Sequence, residues 1–366
     1  MEENRWLHWL LALGALTLSI PAWTADAPWT AFSHEDMIGF KDARGKVRVE
    51  PNLMPGFTNA QRFDRIIATG NYTAGSSYYL LRDGRRVMPG SVYSFDSIPD
   101  CESEGSIRFR DHEHNTVGFL DGNGRVLIPA EMNEVTPLHN GMAVALKGAT
   151  RECAEPSVSL EQCEVTLWKG GTTSLIDSQG VTLVKNLHDT RLDNLDWFSI
   201  EVSTQPSTEP SRIAFKGEKG RYYSFVDIEK DFAAWFKNEF LTHLDDTTLK
   251  ANSYKEVWHD QGSEEHGPSE AMITQFGPAL RVRLEVLRAS SNYGVAIANM
   301  GNPLEVERAP QFFDNCGQFT QWKTPLVSAV EHWEQGSFKS GKHAVFNFIR
   351  TAEGYRLLSF SIPKAN

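Results

Sequence analysis

The chain lacks any apolar run long enough to cross a bilayer. The longest, Trp6 to Ile20, is 15 residues, short of the ~20 that a spanning helix needs. Cysteine is scarce, four in 366 residues, and no CxxC pair stands beside histidine in a zinc-ligand register. Signatures that announce chemistry are missing too. There is no GxSxG nucleophile elbow, no P-loop GxxxxGK[ST], no GxGxxG opening a helix and no HExxH. Positive charge is also in deficit, with 36 Lys and Arg against 47 Asp and Glu, a formal net charge of −11. Such a balance excludes a sequence-independent grip on nucleic acid by the chain as a whole. No cofactor and no metal is implied, and no residue is singled out as catalytic.

The cysteines and the N-terminus do point to a compartment. Arg5, the apolar run and the small residues around Ala22, Thr24, Ala25 and Ala27 read as a signal peptide over residues 1–25. The expectation is therefore a periplasmic or secreted protein, where disulfides persist. Cys153 and Cys163 flank a short polar excursion and are the natural pair, which leaves Cys101 and Cys316 to join distant parts of the chain. Sequence alone allows all three connectivities.

Turn chemistry recurs. Asp121-x-x-Gly124 lies between Val117-Gly118-Phe119 and Val126-Leu127-Ile128-Pro129, and Asn140-Gly141-Met142-Ala143-Val144 follows. Asp42-x-x-Gly45, Asp83-Gly84 and Asp177-x-x-Gly180 have comparable flanks, with the glycines 39, 40 and 56 residues apart. An aspartate that bonds its own backbone two residues on, then a glycine at positive φ, specifies a tight hairpin. A period near forty, stretched once by the segment holding Cys153 and Cys163, predicts four hairpin units over residues 37–202. All four glycines should sit in turns between paired strands, with Pro129 ending its strand.

These residues resemble the WG-repeat family, whose unit runs Trp-Gly-Phe-Ile-Asp-x-x-Gly-x-x-Val-Ile-Pro and later Gly-x-Ala-x-Val. Gly118 to Pro129 and Gly141 to Val144 match it well, Gly39 to Pro51 less fully. Ile38 and Val117 stand where the name-giving Trp would be. The resemblance implies a β-rich array that presents a surface, with no shared catalytic residues.

Residues 203–211, STQPSTEPS, read as a linker. Residues 212–366 then change period. Phe232, Trp235, Phe236, Phe240 and Leu244 fall at helical spacing. Leu280, Val282, Leu284 and Val286 alternate as a strand would. Pro325 to Trp333 reads as a short helix, and Ala344–Arg350 with Tyr355–Ile362 as a hairpin. The fold class expected is a mostly β hairpin-repeat array followed by an α+β domain. The closing FNFIRTAEGYRLLSFSI resembles the final hairpin of nuclear-transport-factor-like cone domains, which implies a pocket between sheet and helices.

Polar clusters are few. His259, Asp260, Glu264 and His266, in WHDQGSEEHGPSE, have the residue types of a metal or acid–base site, but a solvated loop before a helix capped near Ser269 explains them more simply. His112 and His114 suit a hairpin tip, and His243-Leu244-Asp245-Asp246 a helix end. The functional expectation is a protein or peptide partner held on the β surface, basic if it matches the acidic chain. The alternative is a small-ligand or enzymatic site in the C-terminal half.

Overall fold

The structure, a computed structural model, describes residues 27–70, 77–187, 192–260, 264–298, 302–331 and 343–363. The segment expected as a signal peptide lies outside them. The fold is mostly β, built of several small antiparallel sheets. The first is β1 (Trp29–His34), β2 (Met37–Lys41) and β3 (Val47–Leu53), with the two-residue β4 (Arg62–Phe63) against β1. The second is β5 (Ile66–Gly70), β6 (Ser77–Leu81) and β7 (Arg86–Val87). A short β8 (Ser91–Val92) and a small hairpin, β9 (Ser94–Phe95) with β10 (Ile98–Pro99), lead to the third. That sheet is β11 (Ser106–Asp111), β12 (Thr116–Asp121) and β13 (Val126–Met132), edged by β8. The fourth holds β14 (Glu134–Val135), β15 (Met142–Cys153), β16 (Thr166–Asp177) and β17 (Thr182–Lys185) in that order.

In each of these four meanders the second and third long strands are joined by one kind of turn, and Gly45, Gly84, Gly124 and Gly180 all occupy it at φ of 76–86°. Each glycine N–H donates to the carbonyl three residues back, at 2.9 Å. In three turns the aspartate opens the loop: Asp121 Oδ1 accepts from the N–H groups of Asn123 and Arg125, and Asp42 and Asp177 do the same two and four residues on. In the second meander Leu81 holds that place instead, and Asp83 accepts only from Arg85, from its N–H at 3.0 Å and its Nε at 2.7 Å. The turn keeps the same length there, and its aspartate sits two places later.

Pro129 does not end its strand, as expected from sequence, because β13 runs on to Met132. Both Pro129 and Pro51 lie in edge strands, where the register against the neighbouring strand shifts. An edge strand at a bulge tolerates the missing donor. Those irregularities bring backbone close to Gly39 and Gly118: a Cβ on Gly118 would stand 2.5 Å from the Ile128 carbonyl oxygen, and one on Gly39 2.7 Å from that of Val49. Glycine at these places is thus a packing requirement.

A three-stranded sheet cannot bury an apolar face alone, and the cores here are shared in series. Phe40, Leu53 and Phe63 of the first meander pack with Ile67, Tyr78 and Leu80 of the second. Ile66, Tyr79 and Leu81 on the other face of the second pack with Ile107, Phe109 and Leu120 of the third. Val117, Phe119 and Ile128 then meet Ala143, Ala145 and Ile176 of the fourth. Strand alternation supplies both faces.

Residues 203–211, read from sequence as a linker, connect two strands of one sheet, β18 (Leu195–Ser203) and β19 (Arg212–Lys216), which both pair with β20 (Tyr222–Asp227). Beyond it come α1 (Ile228–Asn238), α2 (Asp246–Ala251), β21 (Ser253–Asp260), β22 (Glu264–Pro268), α3 (Ser269–Ser290), β23 (Tyr293–Ile297), β24 (Leu326–Glu331), β25 (Val345–Thr351) and β26 (Gly354–Ser361). The strands form one six-stranded sheet, order β22-β21-β26-β25-β24-β23, parallel only between β21 and β26. The closing hairpin is as expected, but the expected helix is shorter: α1 carries Phe232, Trp235 and Phe236, Phe240 lies in the 3-10 turn Phe240–Thr242 and Leu244 beyond it, with Phe232, Phe236 and Phe240 still buried against Phe348.

Two expectations fail. Leu280 to Val286 is helix, within α3, because the buried residues are Ile273, Leu280, Leu284 and Leu287, a helical stripe, while Val282 and Val286 are exposed. Leu326–Glu331 is a strand, with its β-branched Val327 and Val330 paired on both sides; the rest of the expected helix, residues 332 and 333, lies outside the described residues.

Both disulfides join the expected cysteines, Cys153–Cys163 ten residues apart and Cys101–Cys316 215 apart. On the chain-entropy account the long loop is worth about 5 kcal/mol and the short one about 3 kcal/mol. Urea unfolding of the Cys101→Ser/Cys316→Ser protein should show the larger loss. Cys153→Ser/Cys163→Ser should shift the midpoint less and mainly open the tip of the β15–β16 hairpin to limited proteolysis.

Candidate functional site

A largely apolar concavity lies where the third and fourth meanders meet the segment 314–322. Its volume is about 590 Å³. The β9–β10 hairpin forms one rim with Phe95, 72% exposed, and Ile98, nearly half exposed. Trp168 of β16 and Trp322 supply facing aromatic walls. Two consecutive residues at positive φ, Asp96 and Ser97, make the tight hairpin turn that sets Phe95 outward.

The floor is polar and internally satisfied. Arg108 of β11, its side chain nearly buried, donates from Nε and Nη2 to the two oxygens of Asp100 at 3.1 and 2.5 Å, and from Nη1 to the Val135 carbonyl at 2.8 Å. Its guanidinium stands 4.1 Å over the Tyr93 ring. The Tyr93 hydroxyl donates to Glu134 at 2.6 Å, and Glu134 also receives Arg110 at 3.2 Å. Burial holds Arg108 back from ionisation, but Asp100 beside it more than compensates and raises its pKa. Burial also drives the phenols of Tyr79 and Tyr93 well above their ordinary range.

At one end His139 lies flat on Trp322, ring centres 4.1 Å apart and 8° from parallel, with its edge to Trp197 at 5.7 Å. Burial, then the charge of Arg108, pushes its pKa down to about 4. It is held neutral, as an aromatic surface. Cys101–Cys316 ties one wall to the other. Next to it, Glu102 accepts from the N–H groups of Arg65 and Ile66 at 2.9 and 3.0 Å. Burial lifts its pKa to about 6 despite those bonds.

Apart from Cys101 and Cys316, none of these residues was singled out in the sequence. One signal was available: Asp314-Asn-Cys-Gly317 repeats the Asp-x-x-Gly pattern. Asp314 Oδ1 accepts from the N–H groups of Cys316 and Gln318, and Gly317 has φ of 76°. This fifth turn presents Cys316 to Cys101.

The residues that sequence did nominate are separated. The stretch 258–270 is not a loop but the β21–β22 hairpin, with 261–263 outside the described residues. Trp258 pairs with His266 and stacks on it, and His266 Nδ1 lies 2.9 Å from Glu256. His259 faces the other side of the sheet, between Phe276 and Phe360 at 4.4 and 4.8 Å. Strand alternation puts the two histidines on opposite faces. Asp260 and Glu264 pair at the end of the hairpin; their side chains lie outside the described residues. Ser269 is the first helical residue and not the cap, which is Pro268.

His112 and His114 are at a hairpin tip as expected, His114 on Asp111 at 2.8 Å. Asp245 caps the start of α2 by accepting from Thr248, so the His243–Asp246 run begins a helix there. Among the described residues no group of three His, Cys, Asp or Glu could hold a metal ion, and no helix is long and apolar enough to cross a membrane.

The pKa shifts fix a pH dependence. A folded-state His139 near 4 resists the proton that the unfolded chain takes up near 6.5. Stability is therefore lost as pH falls through that window, by about 2–3 kcal/mol in all. Glu102, near 6 when folded against 4.5 in its ordinary state, binds its proton more readily when folded. Acidification through 6 to 4.5 therefore favours the fold. Relative to His139→Gln, the native protein should lose stability on acidification from pH 7 to 4. Relative to Glu102→Gln it should gain, and chemical denaturation across pH measures both.

Neither protein-family models nor curated proteins provide a match to this chain.

Proposed function

We propose that this is an exported, non-enzymatic protein that holds a protein or peptide partner on its β surface. We take its four meanders as copies of one repeated unit, as the resemblance to WG repeats implies. The two disulfides support an oxidising compartment.

The observation that carries the binding reading is the cleft of about 590 Å³ with an exposed phenylalanine at its rim and tryptophans in its walls. Large aromatic side chains in water at the mouth of a concavity mark interaction sites. The charges beneath are already paired, so an incoming group gains by apolar contact without having to neutralise Arg108. The β15–β16 hairpin extends the same surface: it carries exposed Leu160, Val165 and Leu167 beside its disulfide-closed tip.

The other reading, a ligand or enzymatic site in the C-terminal half, has less support. Phe232, Phe236, Phe240, Phe346 and Phe348 fill the space between α1 and the sheet. Tyr355 closes it by donating to Asp231 at 2.8 Å.

A photo-crosslinking residue at position 95, in protein recovered from an oxidising extracytoplasmic compartment, should trap one discrete partner. Trp322→Ala should reduce the yield severalfold with little change in melting temperature. Crosslinking that persists unchanged in the Trp322→Ala protein would move the site elsewhere.

A further inference from the structure

The lining of the aromatic cleft is acidic. Four carboxylates border it, Asp100, Glu102, Glu134 and Asp314, against one guanidinium, Arg108. Salt bridges neutralise two of the four, Asp100 through Arg108 and Glu134 through Arg110. Glu102 is buried, is held by two backbone N–H groups and has the charge of Arg65 near it. Asp314 is different. Its Oδ1 holds the fifth turn by accepting from Cys316 and Gln318 at 2.8 and 2.9 Å, while its Oδ2 accepts from no group among the described residues. Burial raises its pKa, and those two N–H groups offset this only in part. Arg62 acts on it electrostatically but gives its hydrogen bonds to the carbonyls of Pro310 and Phe313, at 3.5 and 3.0 Å.

The aromatic rings divide in the same way. Tyr93 already carries Arg108 and Arg110 over its face, Trp168 carries Arg151, and Trp322 is stacked on His139 and Phe198. Phe95, on the rim, has no ring or cation contact among the described residues. An open aromatic face attracts a cation, and a half-buried carboxylate with one bare oxygen loses its water when the cleft is filled, a cost that only a donor on the incoming group offsets.

We infer, on the peptide-binding reading above, that the cleft takes a lysine side chain of its partner, the stem lying along Phe95 and Ile98 and the ammonium donating to Asp314 Oδ2. One bare oxygen suits an ammonium, a compact point charge, better than a guanidinium, whose fork is matched by two oxygens. An acidic ligand would meet like charge on every side of the lining. A free polyamine would bring the ammonium but nothing apolar for Pro99, Val144 and Leu146, and would lay its second charge against them. A volume of about 590 Å³ accommodates the side chain together with its neighbours in a peptide.

The test uses an array of blocked hexapeptides whose central residue is lysine, arginine, norleucine or glutamate, the flanking positions being randomised over alanine, leucine, phenylalanine and serine. The array is probed with the labelled full chain, and the strongest binders of each set are titrated calorimetrically at low and moderate salt, with spermidine alongside. Lysine peptides should bind tightest and weaken with salt. Asp314→Asn keeps Oδ1 for the turn and should weaken them by about tenfold or more, with an unchanged melting temperature and no effect on their norleucine counterparts. Glu285→Gln, an exposed carboxylate on α3, should change neither. Arginine, norleucine or glutamate peptides as tight as the lysine ones would overturn the assignment and leave a peptide site standing. So would lysine binding that Asp314→Asn leaves untouched, or spermidine binding as tight as the lysine peptides. Absence of binding in all four sets would overturn the assignment and the peptide reading together.

Discussion

A guanidinium taken out of water must find fixed partners or the fold around it fails, and Arg108 finds them on several separate pieces of chain. Asp100 comes from the segment after the β9–β10 hairpin, the Val135 carbonyl from β14 of the fourth meander, and the Tyr93 ring from the approach to that hairpin. Tyr79, in the second meander, donates to the Arg108 carbonyl at 2.7 Å and accepts from the Tyr93 N–H at 2.9 Å. Satisfying one buried cation therefore fixes the mutual placement of the second, third and fourth meanders. Cys101 follows Asp100 directly, so the same constraint aims the disulfide that reaches Cys316. The cleft is the space left above this arrangement.

The serial sharing of cores has a consequence for cohesion. The second and third meanders each share one core with the meander before and another with the meander after, so neighbouring meanders depend on one another for burial. An array of that kind has open ends. At its start, the C-terminal half supplies cover: Arg62 donates to the Phe313 carbonyl at 3.0 Å, and the N–H groups of Gln61 and Arg62 both donate to the Asn315 carbonyl. At its far side Arg350 of β25 pairs with Asp196 of β18 at 2.6 Å. The long-range disulfide thus locks a contact that hydrogen bonds already specify.

How much of this was legible follows from what sequence encodes locally. The turns at Gly45, Gly84, Gly124 and Gly180 were, because aspartate and glycine act within four residues of themselves. The cysteine pairing was only half legible: Cys153 and Cys163 stand close together in sequence, but three connectivities were open until the fold brought Cys101 to Cys316. The helix at Leu280 was not, since Leu280, Val282, Leu284 and Val286 satisfy a strand period as well as Leu280, Leu284 and Leu287 satisfy a helical one. Only packing against Phe240, Leu249 and the sheet decides between them. The cleft was illegible for a further reason: its parts come from positions 93 to 322, and no local pattern links Tyr93 to Trp322.

His259 and His266 show the converse error, in which nearness in sequence suggests a joint function that strand geometry forbids. Seven residues across a tight hairpin place His266 opposite Trp258 and leave His259 one step along. One step in a strand is a change of face. Each ring then meets a different chemistry, His259 a pair of phenylalanines and His266 a carboxylate. The charges obey the same logic in reverse. Arg44 and Arg82 are 38 residues apart in sequence, yet they line one hollow because the turns of consecutive meanders come out on the same side. Where consecutive meanders pack against each other, turns distant in sequence become neighbours. A net charge taken over the whole chain cannot reveal a surface assembled in that way.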